Sequence, residues 1–132
     1  MTKSSFPVIH IGHETTAQDV YEAVAKHMLA QGTAARSPLG NCQYRLSNLA
    51  CAVGCLMTDD EAYAADNAPR GISMSSLIEQ ELLPERLYAQ SDLLFELQKI
   101  HDTNEPSAWK WLLEEFPSHR PSFGLTVPEF LK

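Results

Sequence analysis

The chain predicts a mainly α-helical (α+β) fold, a compact helical domain with a small two- or three-stranded β-sheet, on three observations. Capping boxes stand at Thr15-Thr16-Ala17-Gln18 and at Thr58-Asp59-Asp60-Glu61. Apolar residues recur at helical spacing along Ala17 to Met28, Leu93 to His101 and Trp109 to Phe116. Extended patterning is confined to Val8 to Ile11 and Cys42 to Leu46, which are expected to pair.

Phe6-Pro7-Val8-Ile9-His10-Ile11-Gly12 is rich in β-branched residues, so residues 1–14 read as an extended segment whose Pro7 suits a sheet edge. A first helix then carries Ala17, Val20, Tyr21, Val24 and Met28 on one face and stops at Gly32. Small residues up to Pro38 and Gly40 make a loop, and Cys42-Gln43-Tyr44-Arg45-Leu46 alternates as a strand does. The apolar run Leu49 to Met57 fits a buried strand or a buried helix. Its alanines favour helix, with Gly54 allowing close packing. A short acidic helix is expected from Thr58 to just before Pro69. Ser73 or Ser75 should cap the next, through Leu77, Ile78, Glu81 and Leu82, before Pro84 limits it. Ser91 should cap the clearest amphipathic stretch, with Leu93, Leu94, Leu97, Ile100 and His101 on one face. Pro106 opens a last helix with Trp109, Leu112, Leu113 and Phe116 in a stripe, and Pro117 should stop it. The proline-containing tail, residues 118–132, should wrap over the core through Phe123, Leu125, Phe130 and Leu131. The expected core joins Leu94, Leu97, Ile100, Trp109, Leu112, Leu113 and Phe116 to Val20, Val24 and Val53.

Composition narrows the function classes. A length of 132 residues with 44% apolar and 20% charged content suits a single globular domain spanning residues 1–132. A net charge of −7, with no run of basic residues, disfavours a phosphate backbone as partner and suits competition for a basic site on a protein. Three cysteines are an odd count, and no charged-then-apolar leader precedes them, so a reducing cytoplasm is expected. No apolar stretch approaches the ~20 residues that cross a bilayer.

The cysteines are the densest chemical cluster. Cys42, Cys51, Cys55 and His101 hold the right atoms for structural zinc, but no C-x2-C knuckle is present, and buried packing as small hydrophobes outweighs it. No cofactor is therefore expected. Cys51 with His101 as base and Asp102 as orienting acid would make a nucleophile, against the apolar setting of Ala50, Ala52 and Val53. Tyr44 and Arg45 could meet an anionic ligand, whereas an arginine bonded to a nearby carboxylate or carbonyl is the plainer reading. Trp109 belongs to the core stripe. Trp111, on another face, becomes a binding anchor unless the tail covers it. His10 and His13 should face solvent.

Cys42-x-Tyr44-Arg45, Cys51-Ala52-Val53-Gly54-Cys55-Leu56-Met57 and Asp60-Glu61-x-Tyr63, followed by Leu94-x-x-Leu97-Gln98-x-Ile100-His101-Asp102 and Trp109, form a spaced pattern over about Ala17 to Leu125. It resembles small uncharacterised proteins of bacteriophages and prophages. The resemblance implies a phage or mobile-element origin and the cytoplasm of a bacterial host, and it brings no reaction. The expected function is thus an acidic accessory protein that binds, engaging or inhibiting a host protein. A cysteine enzyme using Cys51, His101 and Asp102, or a protein sequestering a small nucleotide-like anion, are the alternatives.

Overall fold

The structure, a computed structural model, describes residues 9, 11–12, 15–35, 43–46 and 49–132. Among these, five α-helices accompany one two-stranded antiparallel sheet, in agreement with the mainly α class. Helix α1 (Ala17–Gln31) begins one residue later than the sequence suggests. Thr16 is the cap, its Oγ1 accepting from Asp19 N and its own N–H donating to Asp19 Oδ2, while Thr15 Oγ1 accepts from Gly12 N. Gly32, at φ 70°, ends the helix in the left-handed conformation and returns its N–H to Met28 O. Val20, Tyr21, Val24, Ala25 and Met28 form its buried face.

The sheet differs from the expected pairing. Strand β1 (Arg45–Leu46) pairs with β2 (Leu49–Ala50) in a hairpin, with Arg45 opposite Ala50. Ile9 instead donates its N–H to Cys55 O; Val8, His10, His13 and Cys42 lie outside the described residues. The helix expected over Leu49 to Met57 is also absent, replaced by β2, a turn and a 3₁₀ turn at Gly54–Leu56. The reason is tertiary. A Cβ on Gly54 would lie 1.9 Å from Tyr44 O, so this glycine seats its backbone directly on the hairpin. On the other edge, Gln31 presents a peptide-like amide to Ala50, accepting from its N–H at 2.8 Å and donating to its carbonyl at 3.0 Å. His27 Nε2 meets the same carbonyl at 2.7 Å. These long-range bonds outweigh alanine's local helix preference.

Helix α2 (Asp59–Asp66) has the expected capping box between Thr58 and Glu61. Arg86 clamps that glutamate with two bonds, at 2.7 and 2.6 Å, and also donates to Leu56 O. Helix α3 (Met74–Glu79) is capped by Ser73. Helix α4 (Ser91–Thr103) is not capped by Ser91, because a 3₁₀ turn at Glu85–Gln90 runs straight into it and Ser91 is already helical. Helix α5 (Pro106–His119) starts at Pro106 as expected but passes through Pro117. Pro117 has no N–H for the carbonyl four residues back, Leu113 O, and the Tyr21 hydroxyl donates to that carbonyl at 2.5 Å.

Helices α1, α4 and α5 pack pairwise around the core. Leu94, Leu97, Trp109, Leu113 and Phe116 are buried with Val20, Val24 and Val53, as the stripes require. Ile100 and Leu112 are only partly buried, since both lie at stripe edges beside a groove between α4 and α5. The tail returns along α1. Leu125 and Leu131 are buried, Phe123 stacks on Phe116, and Gln18 holds Thr126 through both its N–H and its carbonyl. No helix among the described residues is long and apolar enough to cross a membrane.

Candidate functional site

The turn after β2 brings Cys51 against α4, where it lines one cavity with Gln98 and Asp102. A polar chain runs through them. Val53 N donates to Gln98 Oε1 at 2.9 Å, Gln98 Nε2 donates to Asp102 Oδ1 at 2.8 Å, and His101 Nδ1 lies 2.7 Å from the same oxygen. At the far side of the imidazole, Ala35 N donates to Nε2 at 3.2 Å. Because Nε2 accepts, the proton sits on Nδ1 and is donated to Asp102. The base and its orienting acid are therefore aligned, but the lone pair that would take a thiol proton is occupied by the Ala35 backbone amide. His101 is fully buried and stacks on Trp109 at 5.2 Å between ring centroids, the place of a satisfied core histidine.

The thiol matches that geometry. Cys51 Sγ accepts from Gly54 N at 3.3 Å, and burial pushes its pKa up to about 12, with the charge of Asp102 adding to the rise. The Gly54 N–H opposes the shift without cancelling it. A neutral, enclosed thiol is a poor nucleophile at physiological pH. Cys55 donates to Ala52 O at 3.1 Å and is likewise held in its thiol form by burial. Cys42 falls outside the described residues, and among those described no three His, Cys, Asp or Glu side chains group to hold a metal ion. Cys51, Cys55 and His101, the described members of the zinc alternative, each already hold the hydrogen bonds given above.

Tyr44 and Arg45 are adjacent but do not form an anion clamp. The buried Tyr44 hydroxyl donates to Ile72 O at 2.6 Å, and burial raises its pKa. Arg45 pairs with Asp59 and donates to Gly54 O and Met57 O, knitting the hairpin to the start of α2. Asp66 takes the backbone N–H groups of both residues, at 2.7 and 3.0 Å, and desolvation raises its pKa against the pull of those bonds. Trp111 has the opposite character: it is 61% exposed on the outer face of α5, and the tail does not cover it.

Two features escape the sequence reading. One is Gln98, the bridge from Asp102 to the turn after β2; its i, i+4 spacing from Asp102 on a helix was the available signal. The other is a cavity of about 300 Å³ between the hairpin, the start of α3 and α4, lined by Tyr44, Cys51, Met74, Phe95, Lys99 and Asp102 among others. Its walls come from four separate segments, so no local motif could announce it. Set against known proteins, the chain matches no family model, no curated protein and no solved structure.

Proposed function

We propose that this chain acts by binding, as a small acidic accessory protein of phage or prophage origin that engages a host protein through Trp111. The observation that carries this reading is a tryptophan 61% exposed on a helix fixed by a buried stripe on its other side. Trp is enriched among interface hot spots, and on a rigid element its large ring loses little conformational freedom on docking. Glu114 and Glu115 follow it at i+3 and i+4, so the complementary surface is an apolar slot with a basic rim. The net charge of −7 favours the same partner and disfavours nucleic acid. The resemblance to phage and prophage proteins supports a bacterial protein as the partner and the host cytoplasm as the location.

The test uses the purified chain and its Trp111→Ala variant, matched in circular dichroism and Tm, as baits for a bacterial lysate. A partner captured by the wild type is then purified and titrated against both. A fall in affinity of about 30-fold or more is expected, the scale of a hot-spot residue. A partner that binds both baits equally would remove Trp111 from the interface and this reading with it.

A further inference from the structure

We propose that the cavity between the hairpin, α3 and α4 is a binding site for a small aromatic anion, a single flat ring bearing a carboxylate or a phosphate. Its volume, about 300 Å³, stands at the lower end of ligand pockets, which suits one ring and its substituent. Tyr44 and Met74 supply apolar walls, both buried, and Phe95 forms the lip. Phe95 is 45% exposed, whereas Leu93, Leu94 and Leu97 around it on α4 are enclosed, so a large ring is held at a cavity mouth and not in the core. An aromatic lip of this kind stacks against a flat ligand.

The charge comes from Lys99, one turn further along α4. Its ammonium lies 5.6 Å from the Phe95 ring centroid, and its side chain is 52% exposed. Its ionic partner, Glu96, lies 3.6 Å away and faces the neighbouring groove, not this cavity. A pair at that distance whose lysine stays half exposed is weak, so an incoming anion can compete for the ammonium. Asp102 also lines the cavity and repels a negative group from its end. The ligand is thereby ordered, its ring inside against Tyr44 and Met74 and its anion outside at Lys99. The neutral Cys51 thiol leaves the inner surface without a second charge.

Calorimetry and ¹H–¹⁵N chemical-shift titration of the full chain, with phenyl phosphate and benzoate as probes, test this. At least one ring anion should saturate, with shifts centred on Tyr44, Phe95, Gln98 and Lys99. Benzyl alcohol, a ring without charge, and inorganic phosphate, a charge without a ring, should each bind at least about tenfold more weakly. Lys99→Gln and Phe95→Leu, at exposed positions that leave the fold intact, should each weaken the ring anion by about tenfold. The proposal is overturned if neither ring anion saturates, if either control binds equally well, or if Lys99→Gln changes nothing. Trp111→Ala, on α5 and not among the lining residues, should bind phenyl phosphate as the wild type does, so that failure here and failure of the protein-binding reading are told apart.

Discussion

Removing one oxygen from Tyr21 should expose how α5 survives its internal proline. The ring of Tyr21 is fully buried and stacks on Phe116 at 5.9 Å, so Tyr21→Phe keeps the packing and deletes only the hydroxyl. That hydroxyl is the donor to Leu113 O, which Pro117 leaves without its helical partner. In the variant a buried carbonyl loses this bond. The expected cost is about 1 to 3 kcal/mol, the penalty for an unsatisfied buried polar group. For a chain of this size that corresponds to roughly 3 to 5 °C in Tm per kcal/mol.

The decisive arm is Pro117→Ala, which returns an N–H to the position facing Leu113 O. In that background Tyr21→Phe should cost less than about 0.5 kcal/mol, because the helix then supplies the bond itself. A double-mutant cycle from urea unfolding cancels whatever Pro117→Ala does alone and isolates a coupling of about 0.5 to 3 kcal/mol. Equal costs in both backgrounds would refute the link between hydroxyl and proline, and a silent Tyr21→Phe would refute the bond's contribution altogether.

Two further outcomes follow from buried groups. Cys51→Ala should cost on the order of 1 kcal/mol, and in the folded wild type Cys51 should resist iodoacetamide at pH 8 until denaturant is added, as read by peptide mass spectrometry; rapid labelling would establish a reactive thiolate. Burial, joined by the positive charge of Arg45, holds the His27 pKa below its ordinary 6.5 against the opposing pull of its bond to Ala50 O. The unfolded chain therefore takes the proton first as pH falls, so the stability tied to neutral His27 is complete above about pH 6.5 and is lost below it, by at most about 1.4 kcal/mol per pH unit. Urea midpoints compared between pH 7.5 and 5.5 should fall more for the wild type than for His27→Gln, and parallel falls would exclude His27 as the source.

Local signals located the helices and long-range ones were hidden. Thr58 and Glu61 define the start of α2 within four residues, and the α4 and α5 stripes place Leu97 and Leu113 inside, because these depend on spacing alone. Leu49 to Met57 misled because its alanines carry a helix preference, while the conformation is decided by Gln31, His27 and Tyr44 from elsewhere in the chain. Pro117 misled for the same reason, since Tyr21, 92 positions from Leu113, supplies the missing donor. At the candidate site, the cysteines, His101 and Asp102 were legible as residues and their neighbourhood was not. That Nε2 of His101 accepts a backbone amide is a fact of the fold, and it converts an apparent catalytic pair into a packing device.

A single physical requirement accounts for most of these surprises. Among the described residues the strands span two residues each, and a buried amide or carbonyl beyond them must still find a partner. Among the described residues, side chains serve as such partners. Gln31 pairs with both polar groups of Ala50, Gln18 does the same for Thr126, Asp66 takes two amides of β1 and its neighbour, Gln98 takes Val53, and His101 takes Ala35. Of these, His101 is the one that looks chemical in the sequence, and it too holds irregular backbone in place. Substituting these side chains would lower stability before it touched any activity, and stability-matched variants are needed to see function at all. Trp111 on α5 and Phe95 with Lys99 at the cavity mouth, by contrast, are turned outward, and the two binding proposals rest on them.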